Sequence, residues 1–364
     1  MRGARRAAGQ ECRWINKLPS TVKTACCESA QNCLGKHPRA GDGTPVTFAT
    51  ATEIGGRGTA VFREHLPAHL CIVGGAGAVG SATAAALLAQ GVPAHLSLVD
   101  VNTPLLTAQV MDLRLVRSQR GTVAAAPLPV AGEADLVVLA ASVPHRDGMA
   151  RADFLESNAT ILRETLDVLP PGWGGTLLIA TNPVDQLCML ARRALSPEAT
   201  VLGYTLNDSL RLAQSIALEI GCHPSRVGAW AIGEHGPHSV PLFDRITLDG
   251  RPQHLTASQW KRAEVRTREW YGVWQRLGTG RTSAWASGSG ITALTRALLS
   301  PTRTLLPVSL PLSGEYGLTG VSLGVPALVG RDGAEIVEWR LTMEQSHALR
   351  AAASAVTGSM TEPA

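Results

Sequence analysis

Residues 70–80 have the sequence LCIVGGAGAVG, in which a short apolar run ends at closely spaced glycines, Gly75, Gly77 and Gly80. Small residues follow as far as Ala86, so the order predicts a strand, a tight turn and a helix. Such glycines permit the turn, let backbone N–H groups approach a pyrophosphate, and let the helix pack closely against the strand. By itself, the motif is equally compatible with an ordinary glycine turn and with a dinucleotide site.

A second signal is Asp100, which follows the predicted buried strand Ala94 to Val99 and lies about 20 residues after Gly80. An acidic residue at this distance bonds the ribose hydroxyls of an adenosine. Its charge repels a 2′-phosphate and no arginine follows directly, so the pattern favours NAD over NADP. The predicted cofactor-binding residues are therefore Gly75, Gly77, Gly80 and Asp100.

Apolar strands and helices continue to alternate after Asp100. We predict helices at Gln109 to Leu115 and Leu155 to Leu169, and strands at Asp135 to Ala140 and Thr176 to Ala180. Continuous apolar strands that alternate with helices predict an α/β fold with a doubly wound parallel sheet, of the Rossmann type. Ligands are expected at the carboxyl ends of its strands.

Composition narrows the function further. The chain has 364 residues, 45% of them hydrophobic, which is enough for two domains and an additional segment. No run approaches 18 uncharged apolar residues, so no membrane partner is predicted. Much of the net charge of +4 comes from the first forty residues, and the near-neutral remainder argues against nucleic acid as a partner. The cysteines Cys71, Cys188 and Cys222 lie in apolar contexts and predict reduced core residues of a cytoplasmic protein.

Residues 1–65 differ from the rest of the chain, because they are basic and show no sustained helical or strand period. We predict a disordered extension or an upstream start-codon assignment. No apolar run of signal-peptide length follows the basic start. Two alternatives remain open. The four cysteines of this segment could bind zinc, although they lack the usual paired spacing, and an organellar targeting peptide is disfavoured by the acidic residues. No metal site is predicted elsewhere.

Three later residues can carry acid–base chemistry. Asp208 and Arg211 lie three residues apart on a helix predicted to begin near Asn207, so their side chains share one face. His235, between glycines in a strand-to-loop context, is the natural partner of Asp208. A carboxylate behind an imidazole stabilises its protonated form, so His235 can act as acid toward a ketone and as base toward an alcohol. Taken singly, such an Asp–Arg pair is more often a surface ion pair.

In these motifs and their order, the chain resembles the lactate/malate dehydrogenase family from about Leu66 to the last helix. The matching segments are VGGAGAVG at 73–80, Asp100-Val101-Asn102, Met111-Asp112-Leu113, Gly148-Met149-Ala150-Arg151, Thr181-Asn182-Pro183-Val184-Asp185, Asp208-Ser209-Leu210-Arg211, Gly233-Glu234-His235-Gly236, Gly314-Glu315-Tyr316-Gly317 and Val325-Pro326. The resemblance implies a Rossmann NAD domain at 66–204, a mixed α+β catalytic domain at 205–358, NAD as cofactor, and a homodimer or homotetramer.

The resemblance also implies a role for each site residue. Arg211 would bind the substrate carboxylate with its forked guanidinium. Arg151, on a mobile loop, would polarise the reacting carbonyl. Asn182 would hydrogen-bond the same oxygen and would also be a cofactor-binding residue, near the nicotinamide. Hydride would pass between the nicotinamide and substrate C2 while His235, backed by Asp208, exchanges the proton.

The loop that would select the substrate departs from the family pattern. His145 stands where the malate enzymes carry Arg and the lactate enzymes carry Gln, and Arg146 lies beside it. Either could reach the second carboxylate of oxaloacetate. Malate is further favoured by Gly148-Met149, the short connection from Gly203 to Asp208, and Ser283-Ala284. Malate/oxaloacetate is therefore the expected pair, with lactate/pyruvate or another 2-oxo acid as alternatives. A non-catalytic NAD-binding regulator is the alternative from another class.

The second half of the chain gives fewer signals. We predict a packed helix at Glu264 to Leu277 and a final helix at Met343 to Val356. Trp270 and Trp285 are predicted to lie in the core or at a subunit interface. The predicted strands are Arg245 to Leu248, Val321 to Gly324 and Ala327 to Val329.

Overall fold

The computed structural model describes residues 68–92, 94–116, 121–143, 151–279 and 281–361. The predicted extension at 1–65 and the loop residues His145 and Arg146 lie outside the described residues. Of Arg151, only the backbone is described.

The helices and strands of the described chain are numbered separately, in chain order. The helices are α1 (Ala78–Ala89), α2 (Thr103–Leu113), α3 (Arg151–Asp167), α4 (Val184–Ala194), α5 (Leu206–Ile220), α6 (Ala257–Arg276), α7 (Trp285–Leu299) and α8 (Met343–Thr361). The strands are β1 (Ala68–Val73), β2 (Ala94–Val99), β3 (Thr122–Ala125), β4 (Leu136–Leu139), β5 (Thr176–Ile179), β6 (Thr200–Tyr204), β7 (Val227–Gly228), β8 (Ala231–Gly233), β9 (Ser239–Pro241), β10 (Thr247–Leu248), β11 (Arg251–Pro252), β12 (Thr304–Ser313), β13 (Thr319–Gly330) and β14 (Gly333–Ile336).

Strands β1 to β6 form the predicted parallel sheet, in the order β3-β2-β1-β4-β5-β6. The central strands are largely apolar, and β4, with the sequence LVVL, is buried along its whole length. The strand order reverses between β1 and β4, which is where dinucleotides bind in sheets of this topology. The doubly wound Rossmann fold is thereby confirmed.

Alternate residues of β1 face opposite layers of helices, as the two-residue period of a strand requires. Leu70 and Ile72 lie in a core cluster with residues of α1, α2 and α7. Cys71 and Val73 lie in a second cluster with residues of α3 and α4. Because both faces are covered, the polar residues of this half are concentrated at the ends of the strands.

The second half extends the same sheet with antiparallel strands. Strand β12 pairs with β6, and the order continues through β13, β8 and β9, while β14 pairs with the C-terminal end of β13. A small separate sheet contains β7, β10 and β11. This half has the mixed α+β character that the sequence predicts.

Three predicted strands of this half differ from the structure in their bounds. The strands predicted at 321–324 and 327–329 form one strand, β13, because Pro326 lies directly opposite Pro307 of β12. The two prolines, which lack a backbone N–H, face each other, so the backbone pairing of β12 with β13 continues before and after them. Arg245 belongs to a 3₁₀ turn, so the strand predicted from Arg245 to Leu248 begins only at Thr247.

A helix is present where one is predicted at Glu264 to Leu277, but most of its apolar side chains are not buried as a packed helix would require. Helix α6 is longer than predicted, and Ala263 is its one buried residue. Its apolar side chains are largely solvent-exposed because they are distributed around the helix rather than along one face; examples are Tyr271 and Val273. Trp285 is 81% exposed and so does not lie in the core, while Trp270 is partly exposed.

None of the described helices is both long and apolar enough to cross a membrane. Cys71 and Cys188 are buried free cysteines, as predicted. Cys222 is free but only partly buried.

Candidate active site

The glycine turn joins β1 to α1, and its shape fits a bound pyrophosphate. A Cβ on Gly80 would lie 2.2 Å from the carbonyl oxygen of Gly74, so only glycine lets the helix approach so closely. Gly74 itself has φ +88°, and a Cβ there would lie 2.4 Å from the backbone nitrogen of Ala141. Gly77 is the exposed N-cap of α1 and provides no side chain to cap it. The first N–H groups of α1 can therefore bind an anion.

Asp100 follows β2 beside this turn. Its carboxylate accepts hydrogen bonds from the backbone N–H of Ala76 at 3.0 Å and of Asn102 at 2.9 Å. Gly75 fits tightly against β2, since a Cβ on it would lie 2.8 Å from the Cβ of Leu98. These contacts hold a half-buried carboxylate next to the anion-binding turn, where the ribose of a dinucleotide lies in this fold.

Asp208 and His235 form a buried pair in the second half of the chain. Asp208 lies in the first turn of α5, and His235 follows β8. His235 Nδ1 lies 2.6 Å from Asp208 Oδ2, and the two side chains are 13% and 12% exposed. Because a carboxylate only accepts hydrogen bonds, Nδ1 carries the hydrogen and Nε2 remains for a substrate.

The electrostatic surroundings of His235 favour its protonated form. Burial by itself lowers the pKa of the imidazole, but the charge and hydrogen bond of Asp208 raise it, with a further contribution from the charge of Asp185. The net effect is a pKa above the ordinary value for histidine. This is the arrangement of a group that exchanges a proton with its substrate.

Arg211 lies one helical turn after Asp208, on the same face of α5. Its Nη1 is 3.5 Å from Asp208 Oδ1. Its guanidinium carbon lies 4.4 Å from the ring centre of Trp270 on α6, and the rings of Trp270 and Trp274 stack at 5.5 Å. These contacts involve only part of a group with five N–H donors, so Arg211 can also bind a carboxylate.

Asp185 was not predicted as a site residue, yet it contacts His235 directly. It lies in the first turn of α4 and is 1% exposed. Its Oδ2 accepts the backbone N–H of His235 at 2.7 Å, and its Oδ1 accepts the hydroxyl of Ser309 at 2.5 Å. Ser309 in turn lies 3.0 Å from the hydroxyl of Ser322. Burial raises the pKa of Asp185 to about 7, although the hydrogen bonds from Ser309 and His235 oppose this.

Asn158 is a second polar residue that sequence reasoning missed. It is fully buried on α3; its Oδ1 accepts the N–H of Val143 at 3.0 Å, and its Nδ2 donates to the carbonyl of Asn182 at 2.8 Å. It thereby ties the chain after β4 to the turn after β5. The only sequence signal was an asparagine inside an otherwise ordinary helix.

The structure brings the predicted residues together in two groups. Asp208, Arg211 and His235 are in mutual contact through Asp208. The glycines and Asp100 form the other group at the ends of β1 and β2. Asn182 follows β5, three residues before Asp185. Arg151 is the first residue of α3.

Comparisons with known proteins agree with this geometry. Residues 68–203 match the family described as lactate/malate dehydrogenase, NAD binding domain, and residues 205–363 match the lactate/malate dehydrogenase alpha/beta C-terminal domain. A malate dehydrogenase of Thermomicrobium roseum is 33% identical over 296 residues, covering 78% of this chain and 94% of the relative. An L-lactate dehydrogenase of Staphylococcus saprophyticus is 31% identical over 297 residues, covering 78% and 92%.

Solved structures give the same result. The minor L-lactate dehydrogenase of Enterococcus mundtii is similar with a TM-score of 0.73 and 27% identity, covering 80% of this chain and 97% of that one. Cryptosporidium parvum malate dehydrogenase shares the fold with a TM-score of 0.74 at 22% identity, covering 81% and 98%.

The fold and these matches define an NAD-dependent oxidoreductase. More specifically, the chain belongs to the lactate/malate dehydrogenase family.

Proposed function

We propose that this enzyme transfers hydride reversibly between malate and oxaloacetate. A 2-hydroxy acid substrate is supported by the His235–Asp208 pair beside Arg211. Asp208 binds the acid–base group His235, and it lies one helical turn before Arg211, which can bind a carboxylate. Malate is favoured over lactate by the loop sequence, where His145 and Arg146 provide cations for a second carboxylate. Lactate/pyruvate is the second candidate, since relatives of both names match the chain, and another 2-oxo acid is the third.

In the proposed reaction, Arg211 binds the carboxylate of the substrate through two parallel hydrogen bonds. His235 gives its Nε2 proton to the carbonyl oxygen during reduction and takes a proton from the hydroxyl during oxidation. Asp208 holds the tautomer and stabilises the imidazolium. The raised pKa of His235 keeps a larger share of the enzyme ready for reduction near neutral pH.

Arg151 and Asn182 are proposed to complete the site. Arg151, at the start of α3, would polarise the substrate carbonyl. Asn182 would bind the same oxygen from the turn after β5, where Asn158 fixes its backbone.

Gly75, Gly77, Gly80 and Asp100 are proposed to hold the cofactor, with the N-terminus of α1 at the pyrophosphate and Asp100 at the ribose hydroxyls. When bound, NAD supplies or accepts the hydride, while the protein provides position and charge.

Turnover with a panel of 2-oxo acids tests the proposal. NADH oxidation is followed by absorbance with oxaloacetate, pyruvate and branched 2-oxo acids, and we expect the highest kcat/KM with oxaloacetate. A preference for pyruvate or a branched acid would overturn the assignment to malate. NADH binding without turnover of any acid would favour the non-catalytic regulator.

The role of His145 has its own test, because an imidazole loses its charge near pH 6.5. If His145 binds the second carboxylate, KM for oxaloacetate rises between about pH 6 and pH 8 more than KM for pyruvate does. His145→Gln should abolish this difference, whereas the same substitution at the exposed His223 should preserve it. If the ratio of KM for oxaloacetate to KM for pyruvate does not change with pH in the wild type, His145 does not bind the second carboxylate.

We also propose the domain division at 66–204 and 205–358, a cytoplasmic location, and assembly into a homodimer or homotetramer. The family matches, which meet at residue 204, support the division. Light scattering during gel filtration should give two or four times the chain mass of 38.2 kDa, and a monomer would contradict the assembly.

A further inference from the structure

We propose that Trp270 is a positioning residue that holds the guanidinium of Arg211 away from Asp208. Arg211 then stays available to the substrate, and Asp208 stays committed to His235. This inference rests on the proposed function, because it takes Arg211 as the group that binds the substrate carboxylate.

The first observation is the length of the Arg211–Asp208 contact. Nη1 lies 3.5 Å from Oδ1, beyond the usual range of about 2.7–2.9 Å for a charged N–H···O bond. Several other arginines of the described chain approach carboxylates more closely, as in Arg226–Asp249 at 2.5 Å and Arg262–Glu219 at 2.7 Å, whereas Arg245 stays 4.0 Å from Asp244. Arg211 has the spacing to do the same, so another contact holds it back.

The second observation is the aromatic surface beside Arg211. The guanidinium carbon lies 4.4 Å from the ring centre of Trp270, well within the range of about 6 Å for a cation–π contact, and indole is the best such partner. Trp274 stacks on Trp270 at an interplanar angle of 14°. The indole N–H of Trp274 donates to the carbonyl of Arg281 at 2.9 Å, which ties the stacked rings to the segment after α6.

Loss of the Trp270 ring therefore frees Arg211 to close on Asp208. The substrate carboxylate must then compete with Asp208 for the same guanidinium, which weakens its binding. His235 must share its counter-ion with a cation, which lowers its pKa. The charged groups facing His235 are Asp208 and Arg211 on α5 and Asp185 on α4, with Glu234 next to it in sequence. Trp270 acts on this set through Arg211, whose guanidinium lies over the indole ring.

The test compares Trp270→Leu with Trp270→Phe. For Trp270→Leu we expect KM for the preferred 2-oxo acid to rise about tenfold, the factor that a partly desolvated cation–π contact represents, with KM for NADH unchanged. Reduction needs protonated His235, so the fall of kcat/KM with rising pH should begin at lower pH than in the wild type. Trp270→Phe keeps an aromatic face and should restore most of both properties.

Two further variants control for helix stability. Trp260→Leu makes the same change on α6, ten residues away, where the ring packs on Phe243 at 5.2 Å; it should leave KM and the pH profile unchanged. Trp274→Leu removes only the supporting ring, so it should shift both properties in the same direction by about two- to threefold in KM. This variant keeps the test available if Trp270→Leu does not fold.

The inference is overturned if Trp270→Leu keeps the KM and pH profile of the wild type, or if Phe is no better than Leu. Should the wild type turn over no 2-oxo acid, the proposed function fails separately. In that case, calorimetry measures the affinity of each variant for oxaloacetate in the presence of NAD. Weaker binding by Trp270→Leu than by Trp270→Phe supports the inference, and equal affinity of the two variants overturns the inference.

Discussion

Replacement of Asp208 by Asn tests the central pair of the site. Asn has the same size and its oxygen can still accept the Nδ1–H of His235, but the negative charge is lost. At 2.6 Å and about one-eighth exposure, the native bond is a short, weakly screened contact to a charged group. Such bonds contribute about 1.5–3 kcal/mol, against about 0.5–1.5 kcal/mol for neutral ones. The midpoints of these two ranges differ by about 1.25 kcal/mol, which predicts that kcat/KM for reduction falls about eightfold.

The pH dependence of Asp208→Asn gives the sign of the effect. Asp208 raises the pKa of His235, so its replacement lowers that pKa. Reduction uses the protonated imidazole, and its rate should begin to decline at lower pH in the variant. Oxidation uses the neutral imidazole, and its rate should begin to rise at lower pH.

The assay measures kcat/KM in both directions from about pH 5 to pH 9 by NADH absorbance, a range that covers the titration of an imidazole. Asp249→Asn is the matched control, because Asp249 pairs with Arg226 on the surface with its side chain 54% exposed. The reasoning is refuted if Asp208→Asn retains kcat/KM within twofold of Asp249→Asn and titrates at the same pH.

Three more substitutions give independent checks. Gly80→Ala should lower the free energy of unfolding by about 1–3 kcal/mol and weaken NADH binding, because the new Cβ would lie 2.2 Å from the carbonyl oxygen of Gly74. Urea melts and NADH titrations measure the two effects. Gly358→Ala is the control, because a Cβ at Gly358 would have no neighbouring atom within 4 Å. Asp100→Ser should raise the NADPH/NADH ratio of kcat/KM about tenfold, since a charge that repels the 2′-phosphate is removed, and an unchanged ratio would exclude that role. Asp185→Asn should flatten the pH dependence of stability, because the pKa of Asp185 is about 3.8 in the unfolded chain and about 7 in the folded one. The wild type therefore loses stability as pH rises across that interval, and the variant does not. The Tm of the variant minus that of the wild type should accordingly grow from pH 4 to pH 8.

The parallel half of the fold was predictable because its signals are local. The apolar runs that became β1, β2 and β5 are bounded by glycines or polar residues, and their order in the chain already implies a doubly wound sheet. The glycine turn and Asp100 could be recognised for the same reason, since each belongs to a single strand end.

The second half was less predictable because its strands depend on their neighbours. Whether Pro326 ends a strand depends on what lies opposite it, and Pro307 is 19 positions earlier in the chain. For Trp270, the pattern of apolar residues indicated packing, whereas the structure pairs this indole with the guanidinium of Arg211.

The candidate site shows the same division. Asp208 and Arg211 could be placed on one face by helical spacing alone, and their partner His235 by the chemistry of the residue types. Asp185 offered only an acidic residue in the first turn of a helix, which is a common helix-stabilising position. Its two bonding partners are known only once the sheet has been assembled.

The contacts of Asp185 limit how this enzyme can be recombined with its relatives. One carboxylate joins the start of α4 to a backbone N–H 50 positions later and to a hydroxyl 124 positions later. A chimera that takes the cofactor-binding half from this chain inherits the buried acid and needs a donor at the position of Ser309. An unmatched half would leave a buried carboxylate without its bond to a hydroxyl, next to the backbone of His235. One half can therefore be exchanged for that of a relative only if the new half keeps the hydrogen bond between Asp185 and a hydroxyl at position 309.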